Sequence, residues 1–309
     1  MTRRALFAFA LAASFCTLAA PPRAWAILDE VHTYATITGA ALYGVAFDDY
    51  GNLFVAGSLA GAGKVWKVGP GGSPVTEFAT GFVDPRGLAF DTAGNLFVSD
   101  YQGNKIYKVS PAQVKTTFVA SITSPAFLEF GPGGNLFVAE WGQLRVQVVS
   151  PAGVVSNYAT AVGALGEEVS GMVYDPASGD LYVGAGPNLK RIGAGGSPVN
   201  VFATGLIGIF GLARDAAGTF YASRYSHRDV YEISTAGAPS PYAGVHLASG
   251  CLDGPRLSAK FIYTAGVTVH QGTLYIADQS CHTIRAIDIA GAPTPAVTST
   301  WGRVKTMYR

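Results

Sequence analysis

The chain has 309 residues, 21 Lys and Arg against 20 Asp and Glu, and a formal net charge of +1. That balance offers no basic field to attract phosphate backbones, so nucleic acid is not an expected partner. Charged residues make up only 13% of the chain and glycines number 39, which suits a compact, turn-rich β protein.

Residues 1–26 read as a secretory signal. Arg3 and Arg4 precede an apolar run from Ala5 to Ala20, and Ala24-Trp25-Ala26 supplies a small-x-small exit. The run is shorter than the roughly 20 residues of a membrane span. Thr2-Arg3-Arg4-Ala5-Leu6-Phe7 is similar to a twin-arginine export motif, while bulky Phe15 before Cys16 does not suit a lipoprotein site. Removal leaves residues 27–309, with 18 basic and 20 acidic side chains and no further apolar run of 18 residues. The expectation is a secreted or periplasmic, soluble, monomeric protein of one domain.

The rest repeats. Strand-like starts occur at "GVAFD" (Gly44), "GLAFD" (Gly87), "FLEFG" (Phe127), "GMVYD" (Gly171), "GLARD" (Gly211) and "GVTVH" (Gly266), spaced by 43, 40, 44, 40 and 55 residues. A period near 40–45 with four short strands per unit is the signature of propeller blades. In the second unit the strands a to d are expected at 87–90, 96–99, 105–109 and 115–119. Between a and b recur Asp48-Asp49-Tyr50-Gly51-Asn52, Asp91-Thr92-Ala93-Gly94-Asn95 and Asp215-Ala216-Ala217-Gly218-Thr219. This is hairpin chemistry, with Asp accepting from turn amides and Gly supplying positive φ. A calcium loop would need acidic ligands at alternating positions.

The d strands read "VTEFAT" at Val75, "VSNYAT" at Val155 and "VNVFAT" at Val199, and an extra copy, "VHTYAT", stands before the first a strand at Val31. A ring must close, and the extra copy is expected to pair with 283–288 as the outer strand of the last blade. "VTSTW" at Val297 competes for that place. The architecture expected is all-β: a six-bladed propeller closed by an N-terminal strand.

"LYIADQSCHTIRAID" from Leu274 and "GNLFVSDYQGNKIYKV" from Gly94 resemble NHL repeats of the wider group that includes SMP-30/gluconolactonase-like hydrolases. "GPGGNLFVAEWGQLRVQVVSPAGVVSNYAT" from Gly131 is also similar to repeats of streptogramin-lyase-like propellers. The resemblance spans about 31–302 and implies architecture more than activity, since such folds host hydrolases, lyases and binding proteins.

The d-to-a and b-to-c loops of a propeller share one face. The ends of strand b bring Asp100-Tyr101, Glu140-Trp141, Arg224-Tyr225 and Asp278, and the entries to strand a bring Tyr43, Arg86, Glu167, Glu168 and Phe210. A mouth with carboxylates, arginines and aromatics suits an oriented small polar molecule, glycan or peptide. The alternative for the acids is structural, bonding to loop amides.

The third residue of strand a reads Ala46, Ala89, Glu129, Val173, Ala213 and Thr268, so Glu129 is the one ionisable member. It is expected either to meet Arg214 across the axis or to serve a ligand or act as a general base. Gluconolactonase-like relatives imply a divalent metal held through "E-G-P" and "P-N-G" entries. Here the second reads Pro85-Arg86-Gly87 and the first is missing, so no cofactor is expected. A Ca, Mg or Zn ion enters only with the hydrolase alternative, on Glu129, Glu140 and Asp278. A streptogramin-lyase-like activity implies a His and a carboxylate on a metal, and His227 with Glu140 is the candidate pair. Cys251, in the insertion of the last unit, and Cys281, in its b-to-c loop, are expected to form a disulfide that pins the insertion over the mouth. The leading expectation is non-catalytic ligand binding at the mouth, with a hydrolase or lyase as the alternative.

Overall fold

The computed structural model describes residues 29–165 and 167–289. The expected signal at 1–26 and the competing outer strand at 297–301 lie outside the described residues. Six antiparallel sheets follow one another around an axis. In blade 2 the strands are Pro85–Phe90, Leu96–Asp100, Lys105–Val109 and Lys115–Val119, in the order a-b-c-d. Strands a of the other blades are Ala41–Phe47, Pro125–Phe130, Val169–Asp175, Ile209–Arg214 and Thr264–His270.

The repeated a-to-b turn is built as its sequence requires. Asp48 Oδ1 accepts from the amides of Tyr50 at 3.0 Å and Asn52 at 2.8 Å, and Asn52 Nδ2 donates back to both carboxylate oxygens. Asp91 and Asn95 reproduce the pattern, with Gly51 and Gly94 at φ of 78° and 76°.

The repeated aromatic of strand d explains how blades stack. Phe78 meets Phe54 of its own blade edge-on at 4.8 Å, and Phe54 meets Phe90 of the next blade at 5.0 Å. Phe118, Phe97 and Phe130 repeat the arrangement one blade on, and Phe202, Tyr182 and Phe220 repeat it between blades 4 and 5. Edge-to-face pairs of this kind add about 0.5–1.5 kcal/mol beyond the area they bury. The strand-d aromatic thus backs the strand-b ring that makes the contact with the next blade.

The ring closes with the N-terminal segment. Glu30–Thr36 pairs antiparallel with Thr283–Asp288, from His32↔Ala286 to Thr36↔Thr283. Tyr34 on the closing strand packs edge-on against Tyr275 at 4.9 Å, and Tyr275 against Phe47 of blade 1 at 4.8 Å, so the same aromatic device spans the joint.

The insertion does not lie over the mouth as a lid. Its Gly254–Pro255 pairs with Glu30 and Val31 as a fifth strand on the outer edge of the last sheet. Asp253 accepts from the Thr33 amide at 3.0 Å and from its hydroxyl at 2.9 Å. Asp253 also pairs with buried Arg285. The physical reason is that the closing strand would otherwise present an unpaired edge. Cys251 and Cys281 form the disulfide, with Cα atoms 5.7 Å apart, and so tie this clasp to the b-to-c loop of the same blade.

Near the axis the a strands touch backbone to backbone. A Cβ on Gly44 would lie 1.9 Å from the Arg86 carbonyl oxygen, on Gly266 2.4 Å from that of Tyr43, and on Gly171 2.5 Å from the Leu212 amide. Each a–b ladder is also bulged at this level, as between Leu42 and Val45 and between Pro85 and Leu88. Gly44→Ala should therefore push blades 1 and 2 apart and destabilise the fold by about 3 kcal/mol. Thermal unfolding would show this as a fall of roughly 6–12 °C.

Candidate functional site

Blade 3 carries Phe127 where the other five blades carry glycine. Phe127 lines a wide chamber of about 680 Å³ on one side and packs edge-on at 5.0 Å against Phe210, which lines a narrower cavity of about 370 Å³ on the other. The propeller thus has two chambers with Phe127 as the partition.

The narrow cavity is the mouth. The loops entering strands a and leaving strands b bring Tyr43, Arg86, Tyr101, Trp141, Glu168, Phe210 and Tyr225 around it. Arg86 stacks on Tyr101 with its guanidinium carbon 3.7 Å from the ring centroid, and it lies 5.4 Å from the ring centroid of Tyr43 and 5.9 Å from that of Trp141. Asp84 holds it from the side at 3.1–3.2 Å. Burial raises the Glu168 carboxyl above the usual carboxylate range, with the nearby Trp141 indole and the Arg86 charge pulling the other way. Tyr225 stacks between Phe210 at 5.1 Å and Tyr263 at 4.7 Å. Tyr225 donates to Gln279, and burial pushes its phenol up to about 12. The wall is aromatic and rigid, with one cation and one carboxylate set into it.

The four charged residues that end strands b make their bonds within the protein. Asp100 accepts from the amides of Val83, Asp84 and Gly103. Glu140 accepts from the Thr123 amide at 3.1 Å and pairs with Arg145, its cross-strand partner. Asp278 accepts from Ile262 and Tyr263 and pairs with Arg285 at 3.3 Å; burial raises its carboxyl to about 6. Arg224 is the same arrangement with the charges exchanged, since Asp229 stands opposite it and takes two bonds at 2.8 and 2.6 Å. These side chains rivet loops to blades.

His227 lies beside this rivet and stacks on His246 at 5.3 Å, while His246 Nδ1 sits 2.8 Å from Asp229. The His227 Nδ1 is buried without a partner, and burial, then the Arg224 charge, lowers its pKa. The candidate pair of His227 with Glu140 is not formed, because Glu140 is engaged by Arg145 and Thr123. Among the described residues no three His, Cys, Asp or Glu side chains converge as a metal-ligand group. The donor set thus does not fit the divalent ion that a gluconolactonase-like resemblance implies.

Glu129 lies on the other side of the partition, in the wall of the wide chamber. It does not meet Arg214, which pairs with Asp175 at 3.0 Å, and it accepts instead from the Tyr174 amide at 3.1 Å. Burial raises its pKa from 4.5 to about 7, opposed only by that amide.

Asp84, Gln279 and Tyr263 belong to the mouth without having been singled out in the sequence. Asp84 could have been found two residues before Arg86; Tyr263 and Gln279 lie in loops of blade 6 that depart from the repeat.

No protein-family model matches the chain, and no curated protein matches it. Among solved structures it is similar to an auxiliary nutrient binding protein from Bacteroides thetaiotaomicron, at 14% identity and a TM-score of 0.69, covering 83% of this chain and 75% of that one. A counterpart from Bacteroides ovatus is 15% identical with a TM-score of 0.69, covering 83% and 76%. A catalytically inactive virginiamycin B lyase from Staphylococcus aureus with quinupristin is 16% identical with a TM-score of 0.61, covering 83% and 98%. The shared feature is the six-bladed propeller. The likeness to NHL and SMP-30/gluconolactonase-like repeats rests on the quoted motifs alone.

The raised Glu129 carboxyl has a sign that can be checked. Unfolded, it loses its proton near 4.5; folded, it keeps it to about 7. The folded state binds more protons in that window, so this group lowers stability as pH rises through it, and the loss is complete above 7. Glu129→Gln should therefore match the wild type near pH 4.5 and exceed it by several degrees in melting temperature at pH 8.

Proposed function

We propose that this is an exported, cofactor-independent propeller that binds a small polar molecule, glycan or peptide at its mouth without transforming it. The observation that carries the reading is the Arg86 guanidinium, stacked on Tyr101 and held by Asp84 inside an aromatic wall. A guanidinium fixed on two sides keeps in-plane donors for a ligand acceptor, and the rings offer flat faces for sugar or side-chain stacking. Exchange of the strand-b charges among protein groups supports binding over acid–base work, because little uncommitted titratable chemistry remains at the mouth. The fold shared with auxiliary nutrient binding proteins is compatible with this role. Export itself rests on the signal-like 1–26 segment.

A second reading is a lyase. It is favoured by the unpartnered Nδ1 of His227 next to Tyr225 and Ser226, and by the fold shared with virginiamycin B lyase.

The test is a glycan and peptide array with the purified protein, followed by calorimetry on each hit before and after EDTA. Arg86→Lys should weaken binding at least about tenfold, or 1.4 kcal/mol, and Trp141→Ala should do the same when measured well below its own, lowered melting temperature. EDTA should change nothing, and the ligand should be recovered intact. Conversion of the ligand would select the lyase reading, and unchanged affinity in both variants would remove the mouth from the explanation.

A further inference from the structure

The wide chamber is not part of the mouth and has its own chemistry. It opens at the a-to-b turns, where Asp48 and Asp49 line it, and the rings of Phe47, Phe90, Phe127 and Phe130 form much of its wall. Within that wall, away from the turns, stands a third carboxylate, Glu129. We propose that this chamber is a second binding site, which takes an organic ammonium ion seated on Glu129.

The position is informative because five blades fill it with Ala, Val or Thr. A residue needed only for packing would repeat them. Glu129 instead places a charge where desolvation opposes it, and such groups are normally paired. Its pairing is incomplete. One oxygen accepts from the Tyr174 amide, and no side-chain cation among the described residues bonds to either oxygen. The charged and titratable groups around the chamber do not neutralise it. From blade 5, Arg214 also lines the chamber, with one guanidinium nitrogen on Asp175 of blade 4 at 3.0 Å and its Nε buried without a partner, and it forms no bond to Glu129. Tyr174 offers its backbone. From blade 6, His270 stacks on Phe47 at 4.1 Å, and burial lowers its pKa, which favours the neutral ring at pH 7. From blade 1, Asp48 and Asp49 add negative charge at the opening. Three carboxylates, Glu129, Asp48 and Asp49, thus face one guanidinium in the chamber lining, and the balance favours a cation.

The donor set selects the kind of cation. A divalent metal ion needs several oxygens around it, and among the described residues no three His, Cys, Asp or Glu side chains converge to supply them. An alkylammonium does fit: its N–H groups donate to the free oxygen of Glu129, and its carbon body lies on aliphatic and phenyl surface, with cation–π attraction from the rings. The chamber volume of about 680 Å³ admits more than the smallest amines.

Calorimetric titration with butylammonium and 1,5-diaminopentane tests this, with 1-butanol and Ca²⁺ as comparisons, at pH 6 and pH 8. Both amines stay charged at both values, whereas Glu129 gains a proton on going to pH 6. Saturable amine binding is expected at pH 8, about tenfold weaker at pH 6 from the Glu129 titration. Glu129→Gln should weaken it at least about tenfold at pH 8. Equal affinity in wild type and variant, equal binding of 1-butanol, a preference for Ca²⁺, or no saturable binding of either amine would overturn the assignment. Should the variant fail to fold, the Glu129 carboxyl can be followed by NMR in the wild type. Saturating amine should lower its pKa by at least about one unit, and an unmoved titration would overturn the proposal.

Discussion

The molecule depends on how closely its six inner strands approach one another. At the axis, backbone meets backbone, and a Cβ at Gly44, Gly171 or Gly266 would overlap a neighbour's main chain. Five blades carry glycine at this level and blade 3 carries Phe127. Phe127 packs on Phe210, and Trp141 lies 5.8 Å from Phe210, so the partition and the mouth wall are one aromatic cluster. The separation of the two chambers is thus a consequence of a single departure from the repeat.

Outward from the axis, stability is a matter of closing the ring. Along the joints a strand-d aromatic backs the strand-b ring that meets the next blade, and the closing strand supplies Tyr34 for that place in the last one. That joint is reinforced more than the others. Asp253 reaches both Thr33 and Arg285, the insertion adds Gly254–Pro255 outside the closing strand, and a disulfide of sequence separation 30 holds its base. A cross-link over a loop of that length removes about 3–4 kcal/mol of unfolded-chain entropy in the loop-closure model. The ends of a ring are where it opens first, and the extra contacts are concentrated there.

The fold was legible because each blade has the same local physics. Asp-x-x-Gly-Asn specifies a turn through its own side-chain bonds, and the strand-d aromatic recurs because every interface needs it. The mouth was legible in part. Tyr43, Arg86, Tyr101, Trp141 and Tyr225 sit at loop positions that the topology alone brings together. What could not be read was which partner each charge would find. Glu140 and Arg145 are adjacent only across a hairpin, Arg224 and Asp229 likewise, and the Asp175 bond of Arg214 depends on the stagger between blades 4 and 5. The insertion was misplaced for a related reason: its length and cysteines were visible, but the edge it covers belongs to a segment more than 200 residues away.

The exchanged pair in blade 5 shows how the repeat constrains function. In blades 2, 3 and 5 the residue that ends strand b and its cross-strand neighbour carry opposite charges, whereas blades 1 and 4 end that strand in Leu59 and Ala185. Glu140 with Arg145 and Arg224 with Asp229 satisfy the same requirement with opposite signs. Charge at that position, where it occurs, therefore serves the scaffold, whichever residue carries it. Chemistry directed outward must come from positions the scaffold leaves free: Arg86 among small or aromatic entries at the mouth, and Glu129 among Ala, Val and Thr in the chamber wall. Both stand where the repeat requires no charge, and each lines a cavity.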